Sequence, residues 1–253
     1  MRILITGATD GIGLETARKL SSLGHEVIVH GRNQEKLKKV ESELGVKSYQ
    51  SDFSNLNEVR EMADKLNKDF SSIDVLINNA GVFKTPNPKT KDGFDIRFVV
   101  NTFAPYILAK NILPSLRGGR IINLSSAAQA SVDFDAMMGK VELGDFEAYA
   151  QSKLAITMWS RHLANDLKKD KTTVIAVNPA SLLGTKMVKE GFNTAGNDIN
   201  IGVEILVSLS LDKEHRNHSG EYYDNDNRRY APPQADGMDL DKAQKIVEFM
   251  EAL

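Results

Sequence analysis

The chain has 253 residues, 41% hydrophobic and 26% charged, enough to bury the core of one large α/β domain or two small ones and unlike fibrous or disordered chains. Thirty-two basic residues against 34 acidic ones leave a formal charge of -2, so no electrostatic footprint for nucleic acid or an anionic membrane is present. The absence of cysteine excludes disulfides, thiolate catalysis and thiolate metal sites, and fits a reducing cytoplasm.

Residues 2–6 read as a buried strand that breaks at Thr6-Gly7-Ala8-Thr9-Asp10-Gly11-Ile12-Gly13, after which Ile12, Ala17, Leu20 and Leu23 carry a helical pattern. Glycines let such a turn approach a ligand closely, and the helix start offers free N–H groups to a diphosphate. The pattern Gly-x-x-x-Gly-x-Gly is neither Gly-x-Gly-x-x-Gly nor a triphosphate loop; a connection that binds nothing is the plain alternative. A second strand, 26–30, ends at Gly31-Arg32-Asn33. A carboxylate there would bind a ribose 2′-hydroxyl and an arginine a 2′-phosphate, so Arg32 is either that clamp or a solvated loop residue.

A polar helix over 34–44 and a strand over 47–50 deliver Asp52, a turn residue or an adenine contact. Asn55 with Glu58 resembles a capping box. The apolar strand 73–77 runs into Asn78-Asn79-Ala80-Gly81, suited to a ligand crevice or to a simple turn. A long helix over 94–116, bent at Pro105, carries Asn101 in its apolar middle, where a buried amide must find partners. The strand 120–124 ends in Ser125-Ser126, and an insert, 127–147, follows.

The helix predicted over 145–169 holds Tyr149-Ala150-Gln151-Ser152-Lys153. Residues four apart share a helix face, so the phenol and the ammonium project into one volume. Moving a phenol from near 10 to about 7 requires ~4 kcal/mol of preference for phenolate, which a fixed cation can supply. An ordinary helix with a solvated lysine is the alternative. A strand over 173–177 leads to Asn178-Pro179-Ala180, then a loop over 181–197, a helix over 199–211, a short strand at 221–223 and a last helix from Asp239. Asp224-Asn225-Asp226-Asn227 reads as a solvated turn, because Arg228 and Arg229 stand where a calcium loop needs glycine. The alternation of strands and helices predicts a parallel sheet with helices on both faces, in one unit.

His25, His30, His162, His215 and His218 are scattered, and His215 and His218 fall in a stretch that reads as exposed loop, so no metal site is expected. No apolar run approaches a membrane span, and Met1 leads straight into a strand-like run, so neither a membrane partner nor a targeting segment is expected.

The motifs Thr6-Gly7-x-x-x-Gly11-Ile12-Gly13, Asn78-Asn79-Ala80-Gly81, Asn101, Ser126, Tyr149-x-x-x-Lys153 and Asn178-Pro179, in that order, resemble those of the short-chain dehydrogenase/reductase family over essentially the whole chain. The 23 residues from Ser126 to Tyr149 and the stretch Ser219-Gly220-Glu221-Tyr222-Tyr223 resemble the branch of retinol dehydrogenases and similar carbonyl reductases. The resemblance implies a Rossmann-type doubly wound α/β domain with a mostly parallel seven-stranded sheet, and an NAD(P)-dependent oxidoreductase. Tyr149 would be the general acid or base, Lys153 would tune it and bind the nicotinamide ribose, Ser126 rather than Ser125 would hold the carbonyl, and Asn101 would hold a water beside Lys153. Gly7, Thr9, Asp10, Gly11, Ile12, Gly13, Arg32, Asn33, Asp52, Phe53, Asn79, Ala80, Gly81, Tyr149, Lys153, Pro179, Ser181 and Leu182 would form the cofactor site.

Gly31 and Arg32 favour NADP(H), Asp10 argues mildly against it, and NAD(H) stays open. The family's Pro-Gly is Pro179-Ala180 here, and its threonine comes one residue late, as Thr185. A non-enzymatic dinucleotide sensor would not need the full catalytic set, and the long insert disfavours an acyl-thioester (3-oxoacyl) reductase. A homodimer or homotetramer is compatible with the family. The segments 127–147 and 181–197 are rich in apolar residues, among them Phe134, Met137, Phe146, Leu182, Met187 and Phe192. They point to an uncharged, hydrophobic carbonyl substrate under a mobile second loop, or else merely pack onto the domain.

Overall fold

Five buried runs of branched aliphatic residues form the middle of one sheet. Alternate side chains of a strand point to opposite faces, and here both faces are covered: Ile3, Val27, Val75, Ile122 and Ile175 enter one core, while Leu4, Ile28, Leu76, Ile121 and Val174 enter the other. This double burial is why the strands read as continuous apolar runs rather than as alternating ones. The computed structural model describes all 253 residues.

The strands are β1 (Arg2–Ile5), β2 (Glu26–Gly31), β3 (Lys47–Gln50), β4 (Val75–Asn78), β5 (Arg120–Leu124), β6 (Thr173–Asn178), β7 (Tyr222–Asp224) and β8 (Arg229–Ala231). Their order is β3-β2-β1-β4-β5-β6-β7-β8. All neighbours pair in parallel except β7 and β8. The order reverses between β1 and β4, and the crevice beyond the carboxyl ends at such a reversal is where an open α/β sheet binds ligands.

The helices are α1 (Gly11–Ser22), α2 (Gln34–Leu44), α3 (Leu56–Asp69), α4 (Ile96–Phe98), α5 (Ala104–Ile112), α6 (Phe134–Met137), α7 (Asp145–Asp166), α8 (Lys186–Phe192), α9 (Asn200–Leu211) and α10 (Leu240–Glu251). Residues of α1, α2 and α9 build one core; those of α3, α5, α7 and α10 build the larger one. No helix is long and apolar enough to cross a membrane.

Four expectations need correction. The sheet has eight strands, because the residues after the acidic turn fold back as β8, with Tyr223 paired to Tyr230. The helix expected over 94–116 is instead α4, a widened π turn over Val99–Phe103, α5 and a short 3-10 turn. Pro105 supplies no N–H to the Asn101 carbonyl four residues earlier, and the helical register loosens there. The segments 127–147 and 181–197 contain α6 and α8 rather than loop alone. His215 is buried, its Nδ1 paired with the Tyr230 hydroxyl at 2.7 Å and its Nε2 with Ser208 at 3.0 Å, so it packs the β8 edge instead of facing solvent.

Candidate active site

The glycine-rich turn takes the shape its residues require. Gly7 and Gly11 have φ of 63° and 55°, the left-handed region that glycine occupies without strain. A Cβ at Gly13 would fall 2.3 Å from Asn79 Nδ2 and 2.6 Å from the Gly7 carbonyl, so this turn and the Asn79 side chain fit only without one. Asn79 Nδ2 donates to the Thr6 and Gly7 carbonyls at 2.8 and 3.0 Å, and the Asn79 and Ala80 amides donate to the Thr6 hydroxyl at 3.0 Å. A Cβ at Gly11, by contrast, would meet nothing nearer than the Thr185 methyl at 3.6 Å. Gly11 at the start of α1 therefore faces the segment after β6, where free helix-start N–H groups could meet a diphosphate.

His30, at the end of β2, was not singled out from sequence. Its Nδ1 accepts from the Gly7 amide at 3.2 Å, its Nε2 pairs with the Ser51 carbonyl at 3.0 Å, and its ring stacks on Phe53 with centroids 4.1 Å apart. Those partners require a neutral imidazole, and burial pushes its pKa down to about 4 from an ordinary 6.5. The unfolded chain therefore takes up the proton first as pH falls. The stability that His30 contributes is complete above about 6.5 and is lost progressively towards about 4, a change on the order of 3 kcal/mol. Thermal melts from pH 7 to 4 should show this loss in the wild type and a flatter profile in His30→Leu; parallel profiles would contradict the assignment.

Around the adenosine end, Arg32 is exposed and Asn33 caps α2 by accepting from the Lys36 amide at 2.9 Å. Asp10 caps α1 at Gly11 and pairs with Lys36 at 3.1 Å, so Lys36 is a cation beside the turn that no sequence pattern marked. A Cβ at Gly31 would lie 2.5 Å from the Thr9 methyl, which leaves no ready room for a carboxylate there. Asp52 accepts from the Ser54 amide at 2.9 Å, and the Phe53 ring turns inward onto His30.

The four candidate catalytic residues meet beyond β4 and β5. The π turn aims the Asn101 amide so that Oδ1 accepts from the Val82 N–H at 2.8 Å while Nδ2 donates to Ser152 Oγ at 2.9 Å and the Val82 carbonyl at 3.0 Å. Buried Arg97 ties the same segment to Asp145 at the start of α7 and to Asp95. Ser125 is buried and donates to the Lys153 carbonyl at 2.8 Å, whereas Ser126 is only half-buried. Lys153 Nζ donates to the Leu124 carbonyl at 2.7 Å and lies 5.6 Å from the centre of the Tyr149 ring.

Burial, unrelieved by any carboxylate, pushes the Lys153 ammonium down to about 8. Burial also raises the Tyr149 phenol above its ordinary 10, against a smaller opposing pull from Ser126. Nζ is turned to the Leu124 carbonyl, and burial is the larger influence on both the ammonium and the phenol.

An aromatic group covers the phenol. The Phe83 ring lies 5.0 Å from that of Tyr149, stacks at 5.4 Å on Phe192 of α8 and meets Phe146 edge-on at 6.5 Å. A Cβ at Gly191 would sit 2.6 Å from Phe83, so α8 can lie on that ring only through a bare backbone. Phe83 escaped the sequence reading because its partners are distant along the chain.

The family model of the short chain dehydrogenase matches residues 1–196. The short-chain dehydrogenase chry4 of Gibberella zeae is 33% identical over 262 residues, covering 100% of this chain and 96% of its own. Retinol dehydrogenase 13 of Mus musculus is 29% identical over 261 residues, covering 92% of this chain and 78% of its own. A crystal structure of a short chain dehydrogenase from Burkholderia cenocepacia in complex with NADP matches with a TM-score of 0.69 and 26% identity, over 88% of this chain and 95% of that one.

Proposed function

The chain belongs to the short-chain dehydrogenase family, oxidoreductases that interconvert CH–OH and C=O, and we propose that it passes hydride between NADP(H) and an uncharged, apolar aldehyde, ketone or alcohol. The observation that carries this reading is the meeting of Ser126, Tyr149, Lys153 and Asn101 beside a glycine turn shaped for a dinucleotide. When bound, the nicotinamide supplies or accepts the hydride.

The protein supplies the rest. Ser126 Oγ holds the carbonyl oxygen, and Tyr149, as a phenol protonated at neutral pH, donates the proton that oxygen needs. The phenolate so formed is favoured by the hydrogen bond from Ser126, and the Lys153 ammonium, 5.6 Å from the ring centre, is the cation beside it, itself close to releasing a proton at about 8. An ammonium has three donors, and with one on Leu124 the others are free for ribose hydroxyls. Asn101 locks the π turn to Ser152 and Val82 and keeps this arrangement rigid.

Two features support NADP(H): exposed Arg32 at the end of β2, and the lack of space for a carboxylate at Gly31. The NADP complex of the Burkholderia relative agrees with it. Arg32→Ala should weaken NADPH by about tenfold through loss of a charge-assisted hydrogen bond and leave NADH within about twofold. Calorimetry is the suitable measurement, since Trp159 is fully buried against Tyr106 at 5.4 Å and is a poor reporter of the groove. Equal wild-type affinities for the two cofactors would contradict the assignment.

The apolar substrate class is supported by Phe83, Phe146 and Phe192 around the phenol, the last two about half exposed at the mouth. A panel of aldehydes, ketones and quinones with NADPH tests it. Aromatic or long-chain carbonyls should be reduced efficiently and charged or sugar-like ones poorly; the reverse order would overturn the substrate class.

A further inference from the structure

The backbone leaving β6 is strained where the nicotinamide end of the groove would lie. Ala180 has φ of 132° and Leu182 φ of 51°, conformations that a side chain disfavours and that glycine adopts freely. Within the segment, the Leu182 carbonyl accepts from the Asn197 amide at 2.6 Å, which holds the Leu182 side, while Ala180 has only a long 3.4 Å contact from its amide to Asn178 Oδ1. The residues flanking Ala180 are held from 45 residues on, in the turn of the β7–β8 hairpin. The Asp226 carboxylate accepts from the Ser181 amide at 2.8 Å, the Ser181 hydroxyl at 2.5 Å and Asn178 Nδ2 at 2.8 Å. Its neighbour Asn225 donates to the Pro179 carbonyl at 2.9 Å, and so both sides of Ala180 are held from one turn. Asn197 Nδ2 then donates to the Ser181 carbonyl at 3.0 Å, linking the far end of the 181–197 segment to the same point.

We infer that Asp226 is a positioning residue, and that the hairpin turn is an external clamp which holds residues 179–182 in the shape glycine would take unaided. The clamp sets the nicotinamide end of the cofactor groove and the root of the segment that carries α8. This inference rests on the cofactor reading above. It also gives the short edge strand β8 a purpose, since its pairing with β7 fixes the turn that presents Asp226. Burial alone would raise the Asp226 carboxyl, but the hydrogen bonds from Ser181 and Asn178 more than offset it and hold it below its ordinary value.

Asp226 is exposed, so its replacement opens no core. The test compares wild type, Asp226→Ala, Ala180→Gly and the double variant by NADPH calorimetry and by hydrogen exchange of residues 180–197 in ligand-free protein. Asp226→Ala should weaken NADPH by about tenfold and speed exchange in that segment, while the double variant should return to within about threefold of wild type. A merely structural role for the hairpin would lower thermal stability without recovery on adding glycine. Should Asp226→Ala not fold, Asp226→Asn, which loses one acceptor oxygen, should show the same changes in smaller degree.

Wild-type behaviour in the aspartate variants, or a loss that Ala180→Gly does not recover, would overturn the clamp. If wild-type protein binds no NADPH, the cofactor reading fails, and the exchange measurement alone still decides whether Asp226 holds the segment.

Discussion

Tyr149→Phe is expected to lower kcat by about a thousandfold while NADPH affinity stays within about twofold of wild type. The substitution removes the one hydroxyl placed to protonate the carbonyl oxygen and keeps the ring against Phe83. A phenol is neutral at pH 7, so its oxygen is a donor and not a fixed charge that cofactor binding would miss. Thermal stability should be unchanged, because the phenylalanine loses only a hydroxyl that burial already penalises. Turnover and calorimetry on the same preparation separate the two effects, and a loss below tenfold would remove Tyr149 from the proton transfer.

Lys153→Met should harm both steps, lowering kcat by about a hundredfold and weakening NADPH by about tenfold. Methionine keeps the buried stem and removes the charge and its donors. The stability consequence has the opposite sign. The lysine pKa is about 8 in the fold against 10.5 ordinarily, so the charged form is held at a cost below pH 8 that is relieved as pH rises towards 10.5, on the order of 3 kcal/mol. Against this stands the lost hydrogen bond to Leu124, worth about 1 kcal/mol. The variant should melt at or above the wild-type temperature at pH 7, with a smaller rise in alkaline solution. A dead variant that also melts well below wild type would mean that Lys153 serves chiefly to hold the fold.

Local pattern was enough for most of the sheet: β3 and β5 begin and end where they were expected, β5 on its apolar run, and the last helix, expected from Asp239, starts at Leu240 with Asp239 as its cap. It was not enough wherever a residue's partner lies far along the chain. β8 has three residues, none fully buried, and exists because Tyr223 and Asp224 pair with it. The π turn keeps the apolar spacing of a helix, so only Pro105 hinted at it.

The same limit applies in the groove. The motif residues around Tyr149 were visible, but the charge balance was not, because the spacing of Tyr149 and Lys153 says nothing about the Leu124 carbonyl that holds Nζ. Phe53, expected at the cofactor, turns its ring onto His30, whose link to Gly7 spans two strands. Asp226 read as solvated because its donors, Ser181 and Asn178, stand 45 and 48 residues away.

The central claim, hydride transfer to an apolar carbonyl at the Tyr149 site, is tested most directly by isotope transfer. The wild-type protein is incubated with NADPH dideuterated at C4 of its nicotinamide ring and an aromatic aldehyde or ketone, and the product is analysed by mass spectrometry and NMR. The predicted result is one deuterium on the carbinol carbon, formed in step with NADPH consumed and nearly absent with Tyr149→Phe. Tight NADPH binding without labelled alcohol from any carbonyl of the panel, or labelled alcohol made equally well by Tyr149→Phe, would contradict it.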